Sequence, residues 1–315
     1  MSNKEKLDKN FISAVVYMNT ADSQEGFEEF LQKLDNNLSG HFINYEIILV
    51  DDSSPLGYIE AVKKYKSSHR ESSMTILHMS RYQGMEMSMN AGRDLAIGDF
   101  VFEFDECAYN FPEDMIQKVY DECLKDYDIV CCSDDGKNLK ESNGFYKLFN
   151  RYSDMEYKLK SDNFRIISRR GINRIQSLNH AIPYRKAMYA NCGLKMTSIT
   201  YTPVTKSDYS HTKREQKDRR KLAINSLLLF TDIGYRATLL LSFIMAGVMV
   251  FSAIYALAMY IGGIAIEGWT TTILFLSFAF FGLFAILTVV IKYLSLLLDL
   301  TFKKQRYMFE SVEKL

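Results

Sequence analysis

The chain has 315 residues, 48% of them hydrophobic, and its 38 Lys and Arg are matched by 38 Asp and Glu. That length allows one large domain or two smaller ones, and a net charge of zero argues against a nucleic-acid binder, which needs a basic excess to neutralise phosphates. Cys107, Cys123, Cys131, Cys132 and Cys192 show no paired zinc spacing and read as small core residues or free thiols.

In chain order, the polar opening (1–10) carries no cleavable signal. Short apolar runs then alternate with longer helical patterns. Strands are predicted over 11–18, 45–50, 74–79, 100–104 and 128–132, with helices over 25–38, 59–65, 85–96 and 115–124 between them. Pro112 suits the first turn of the last of these helices. Beyond lie a helix over 145–155, strands over 164–168 and 195–201, and an amphipathic helix over 214–235. Such alternation predicts an α/β fold with a mostly parallel sheet, helices on both faces, and ligands at the carboxyl ends of the strands.

The last third differs in kind. No charged residue occurs between Arg236 and Glu267 or between Glu267 and Lys292. Roughly 20 apolar residues suffice to cross a bilayer as a helix, so a two-span transmembrane hairpin is expected. The link around Gly262, Gly263 and Glu267 has no Lys or Arg, whereas the flanks carry Lys213 to Lys221, Arg236, Lys292, Lys303, Lys304 and Arg306. The positive-inside rule then places both termini and the α/β domain in the cytoplasm, with the protein a multi-pass component of the cell membrane. The expected organisation is a domain over 1–210, an amphipathic juxtamembrane helix over 211–236, two spans over 237–291, and a tail helix over 292–315.

Two acidic strand ends draw attention: Val50-Asp51-Asp52-Ser53-Ser54-Pro55 and Phe104-Asp105-Glu106-Cys107. Carboxylates there are solvated, paired or metal-bound, because burying them bare is costly. Asp51, Asp52 and Ser53 offer acceptors for a nucleotide's base and ribose hydrogens, although an N-cap for the next helix uses the same residues. Side chains alternate along a strand, so Glu103, Asp105 and Cys107 share one face and Glu106 points away. For Glu103, inside the strand, a solvated or ion-paired edge position is the ordinary explanation.

The run from Tyr45 to Pro55, then Ser80-Arg81-Tyr82-Gln83-Gly84, Asn90-Ala91-Gly92-Arg93-Asp94, the stretch from Phe145 to Asp154, and Asn163-Phe164-Arg165 resemble a family 2 glycosyltransferase of the GT-A fold. With the two-span hairpin, they are similar to its polyprenyl-phosphate sugar synthase branch, which includes dolichol-phosphate mannose synthase. The resemblance implies a nucleotide-sugar donor, Mg²⁺ or Mn²⁺ at an acidic triplet, inverting transfer to a polyprenyl-phosphate lipid, and a homo-oligomer. It assigns Asp51, Asp52, Ser53, Arg81, Gly84 and Asp105 to the nucleotide sugar, and Asp105 and Cys107 to the metal. Arg165, Asn163 and Asp162 take catalytic positions; Lys147, Arg151 and Lys206 are assigned to the acceptor phosphate.

Several positions depart from the family pattern. The usual Asp-x-Asp is Asp105-Glu106-Cys107, which puts sulfur where a hard cation wants oxygen. Tyr109 and Asn110 stand where Gln and Asp are usual, and Asn163 places an amide where an acidic residue is expected. Two readings therefore remain at the level of sequence: a membrane-anchored glycosyltransferase in cell-surface glycan synthesis, and a related binding or scaffolding subunit that has lost the chemical step.

Overall fold

The structure, a computed structural model, describes residues 7–20, 23–54, 56–69, 73–135, 140–153, 157–178, 184–204, 213–231, 233–261, 268–302 and 307–315. The chain forms two compact units, Met1–Ala223 with Lys304–Leu315, and Ile224–Lys303.

The first unit alternates strand and helix from its start. Its elements are β1 (Asp8–Tyr17), α1 (Gln24–His41), β2 (Phe42–Asp51), α2 (Leu56–Ser68), β3 (Ser73–Met79), α3 (Met85–Leu95), β4 (Phe100–Phe104) and α4 (Met115–Leu124). There follow β5 (Ile129–Asp134), α5 (Lys140–Tyr152), β6 (Phe164–Ser168), α6 (Arg169–Ser177), α7 (Arg185–Ala190) and β7 (Met196–Tyr201). Helix α8 (Lys213–Phe230) leads into the second unit, and β8 (Phe309–Lys314) returns the chain to the first.

The sheet has the order β7-β5-β6-β4-β1-β2-β3-β8. Pairings β1/β2, β1/β4, β2/β3 and β5/β7 are parallel, while β4/β6, β5/β6 and β3/β8 are antiparallel. The α/β expectation is met, with β6 inserted against the direction of its neighbours. Strand periodicity sorts the core into two layers. Ile12, Ala14 and Val16 of β1 join Phe102 and Phe104 of β4 on one face, under α1, α2 and α4. Val15 and Tyr17 join Val101, Cys131 and Ile167 on the other, with Met89 of α3, Ile172 of α6 and Tyr189 of α7. On this second face α3 lies very near the sheet: a Cβ added at Gly92 would fall 2.5 Å from Val15 Cγ1 and 2.6 Å from Val50 Cγ2.

Caps fix where helices begin. Ser23 Oγ accepts the Gly26 N–H at the start of α1, and Ser168 Oγ accepts that of Gly171 at the start of α6. All five cysteines are buried free thiols, as their spacing suggested.

The tail departs from expectation. The predicted 292–315 helix ends with α10 at Phe302, and 309–314 is instead strand β8, antiparallel to β3. It pairs with the open edge of β3, Val312 opposite Leu77 and Phe309 opposite Met79, and that pairing outweighs any helical preference of so short a segment.

The second unit contains α9 (Ile233–Ile261) and α10 (Trp269–Phe302). Gly282 of α10 sits against Met245 of α9, where a side chain would collide with the thioether. Among the described residues alone, no helix is long and apolar enough to cross a membrane; both helices include positions whose side chains lie outside that set. The predicted link over Gly262, Gly263 and Glu267 also lies outside the described residues.

Candidate functional site

The carboxyl ends of β2, β3 and β4 present the acidic segments together with the loop after β3. Strand β2 ends at Asp51, and Ser53 takes a left-handed backbone, φ 65°, to turn the chain. Asp51 is almost buried; its Oδ1 accepts the Ser54 N–H at 2.7 Å, and its Oδ2 lies 2.9 Å from His78 Nδ1 of β3. His78 in turn lies 3.4 Å through Nε2 from Glu313 of β8. The returning strand therefore helps to position Asp51.

Asp52 has a different task from the one expected. It is fully buried, and its carboxylate accepts the backbone N–H groups of Gln83 at 2.7 Å and Gly84 at 2.8 Å, with the Tyr17 hydroxyl at 3.1 Å. Burial raises its pKa, while those two N–H groups pull the other way. Asp52 thus ties the β2 turn to the β3 loop rather than facing a ligand. Gly84 adopts φ 85°, which a side chain would strain, and opens α3. Met308 holds the same loop from the tail: its N–H donates to Gln83 Oε1 at 2.9 Å and its carbonyl accepts from Ser80. Arg81 is exposed on this loop, and Arg214 of α8 stacks on Tyr82 with its guanidinium carbon 3.7 Å from the ring centroid.

At the end of β4 the second face of the sheet carries a buried ionic network. Glu103 and Arg165 are register partners across β4 and β6, so strand pairing alone brings them together. Arg165 Nη1 donates to Glu103 at 2.7 Å, Nε to Asp162 at 2.8 Å, and Nη2 to Asp105. Arg185, at the start of α7, donates through Nη1 to Glu103 at 2.7 Å, through Nη2 to Asp105 at 2.7 Å, and through Nε to Glu86 at 3.0 Å. Lys186 pairs with Asp162. Tyr189 donates to Glu103 at 2.8 Å and accepts from Arg93 at 2.9 Å. The side chains of Arg165, Arg185 and Glu103 are 0% exposed, against 12% for Lys186.

Four carboxylates, Glu86, Glu103, Asp105 and Asp162, here meet three cations, Arg165, Arg185 and Lys186. Burial by itself would raise the pKa of Asp105, but Arg165 and Arg185 reverse this and hold it well below the usual carboxylate range. Asp162 is lowered in the same way, against burial, by Arg165 and Lys186. Glu106 goes up, through burial first and then the charge of Asp105, with Arg219 and Lys186 opposing.

The expected metal ligands do not fit a divalent cation. Both oxygens of Asp105 accept guanidinium N–H groups. Cys107 is buried, with its thiol donating to the Tyr17 carbonyl at 3.1 Å. Tyr109 packs against Phe111, ring centroids 4.3 Å apart, and its hydroxyl accepts from Asn37. Asn110 accepts from Tyr201 at 3.0 Å. Among the described residues, no three His, Cys, Asp or Glu side chains are grouped so as to hold a metal. Asp105 and Cys107, which the resemblance assigns to a metal, are thus both engaged with protein groups in this structure.

Of the other residues singled out, Asp162 and Arg165 belong to the buried network, and Asn163 contributes its backbone, its N–H donating to Cys132 and its carbonyl accepting from Asp105. Arg165 is enclosed by acids rather than open to a phosphate. Lys147 and Arg151 are exposed one turn apart on α5, whose Tyr146 meets Tyr184 beside Arg185. Lys206 lies outside the described residues. Sequence reasoning missed Arg185, Lys186, Tyr189, Glu86, His78 and Glu313. A small cavity beside the network is lined by Tyr157, Lys160, Asp162 and Lys186.

Comparison with known proteins identifies the family and the fold. Residues 16–190 match the family described as glycosyl transferase family 2. An uncharacterized glycosyltransferase from Synechocystis is 26% identical over 184 residues, covering 56% of this chain and 57% of that protein. A dolichol-phosphate mannosyltransferase from Pyrococcus furiosus is 29% identical over 115 residues, covering 36% of this chain and 31% of that one. The chain thus matches less than two thirds of the length of these relatives. The mannosyltransferase PcManGT from Pyrobaculum calidifontis, solved in complex with GDP-Man and Mn²⁺, superposes with a TM-score of 0.50 at 14% identity, covering 70% of this chain and 64% of that one. At that identity the likeness shows the fold.

Proposed function

The chain belongs to glycosyltransferase family 2, and from that premise we propose that it transfers a sugar from a nucleoside-diphosphate sugar to a polyprenyl-phosphate acceptor, with inversion, in cell-surface glycan synthesis. The observation that carries the donor half is the turn at Asp51 and Ser53, locked by Asp52 to Gln83 and Gly84 at the carboxyl edge of the sheet. Ligands bind α/β sheets at that edge, and Asp51 there is the acceptor for nucleoside hydrogens. Fixed positioning of donor against acceptor supplies much of the rate.

In this reading an acceptor phosphate oxygen attacks the anomeric carbon from the face opposite the leaving nucleoside diphosphate. The acceptor is already anionic and needs no strong base, which suits the amide at Asn163. Lys186, the network cation with residual exposure, and Arg81 on the β3 loop are the groups placed to meet phosphate charge. Arg165 acts on the site indirectly, by holding Asp105.

The lipid half of the proposal rests on the second unit. Its helices expose large apolar side chains, among them Phe243 at 73%, Phe251 at 71% and Phe281 at 69%. In water such a surface would be costly, and it suits a bilayer. With the charge-free stretches of sequence, this supports a multi-pass membrane protein with the α/β unit on the cytoplasmic side and its α9 and α10 as spans, able to assemble as a homo-oligomer.

The test is transfer of labelled sugar from uridine and guanosine diphosphate sugars to a short polyprenyl phosphate, using full-length protein in detergent. Asp51→Ala is expected to reduce transfer at least 10-fold. Absence of both transfer and donor binding by the folded wild type would reject the proposal. It would favour the second reading, a binding or scaffolding subunit, for which the saturation of Asp105 by two arginines is the specific observation.

A further inference from the structure

The family resemblance assigns a divalent cation to Asp105, which raises the question of what lies beside that carboxylate. Here the place is occupied by the protein itself. Asp105 Oδ1 receives Arg185 Nη2 at 2.7 Å, and Oδ2 receives Arg165 Nη2. Each guanidinium is anchored at two further points, Arg165 on Glu103 and Asp162, and Arg185 on Glu103 and Glu86. Both side chains are 0% exposed.

We propose that the Arg165–Asp105–Arg185 bridge permanently takes the position of the divalent cation, so that this site holds no metal and any donor is bound without one.

Three features support the substitution. Asp105 already lies between two guanidinium cations, so a dication approaching that carboxylate would meet two positive charges beside it. Coordination needs ligand oxygens about 2.0–2.6 Å from the ion, and reaching Asp105 that closely would expel at least one guanidinium from a buried pair. The neighbouring ligand is also withdrawn, because the Cys107 thiol is spent on the Tyr17 carbonyl. A planar guanidinium matches a carboxylate geometrically, so each oxygen of Asp105 is filled by a well-directed donor.

The metal-free donor clause rests on the donor reading above; the statement about the site does not. The experiment keeps them apart. Mn²⁺ is titrated into full-length protein in detergent and read by the amplitude of its electron paramagnetic resonance signal, first alone and then with uridine or guanosine diphosphate. Affinity for the same nucleotides is measured separately in EDTA and in Mn²⁺. The proposal expects no protein-dependent loss of the Mn²⁺ signal and nucleotide affinities that agree within about threefold between the two buffers. Stoichiometric Mn²⁺ uptake, or a 10-fold loss of affinity in EDTA, would overturn it. If neither nucleotide binds in either buffer, the donor reading and the metal-free donor clause fall together, while the Mn²⁺ titration still decides the occupancy of the site.

Cys107→Asp separates the two possible causes of exclusion. With the guanidinium bridge intact, this variant is also expected to take up no Mn²⁺. Uptake by that single variant would show that the cysteine, rather than the bridge, excludes the ion.

Discussion

Replacing Arg185 by methionine tests the network where its geometry is most demanding. The side chain is fully buried and serves Glu86, Glu103 and Asp105 at once. Methionine fills similar volume but leaves Glu86, Glu103, Asp105 and Asp162 facing only Arg165 and Lys186, one positive charge fewer inside the protein. Removing one partner of a buried pair costs about 3–5 kcal/mol. In a unit of this size, 1 kcal/mol moves the melting temperature by roughly 2–4 °C, so a loss of about 6–20 °C is expected. Near-ultraviolet circular dichroism of the detergent-solubilised chain follows the transition through the tyrosines packed around the network. Lys118→Met, which breaks an exposed pair with Asp114, is the control and should cost at most about 0.5 kcal/mol. Adding Glu103→Gln to Arg185→Met offsets the lost positive charge and should restore part of the loss. An Arg185→Met variant that melts within about 2 °C of wild type would refute the account of the network as a coupled buried set.

Acid should act on the same cluster: Asp105 and Asp162 have lowered pKa values, so their stabilisation is complete above the unfolded value of about 3.9 and is lost as pH falls through their folded values. Asp52, whose pKa is raised, works in the opposite sense, so acid melting curves are best compared in an Asp52→Asn background; stability that already falls between pH 7 and about 5 in that background would contradict the sign. Gly92→Ala should destabilise by about 1–3 kcal/mol in thermal melts, because its Cβ would press on Val15 and Val50 and outweigh the gain in helix propensity. Deleting residues 308–315 removes β8 and the contacts of Met308 to the loop after β3, so limited proteolysis should cut near Gln83 several-fold faster; unchanged cleavage would show that the tail does not brace the loop.

Much of the fold was legible because strand and helix periods are local. The runs at 100–104, 115–124 and 164–168 carry enough apolar alternation to coincide with β4, α4 and β6. What local pattern cannot supply is pairing. Strand β8 becomes a strand because β3 offers an edge, and nothing within 309–314 announces that partner. The short α7 escaped notice because six residues give too few turns for a period to show, and its start holds a buried arginine where an apolar residue would be the usual signal.

The site divides along the same line. The two acidic strand ends were visible as motifs, but a motif names residue types and leaves their partners open. Glu103 illustrates the gap: alternation put it on the face of Asp105, and a solvated or ion-paired edge position was the ordinary expectation, yet Arg165 lies 62 residues away and meets it only through the antiparallel register of β6. Arg185 lies 82 residues from Glu103 and arrives on a helix that covers the same face. Once both arginines are present, Asp105 changes from a prospective ligand into the centre of a closed pair of ion bridges. The chemistry of a strand-end carboxylate is therefore set by the cations that topology delivers to it, and those come from elements that the acidic motif itself does not contain.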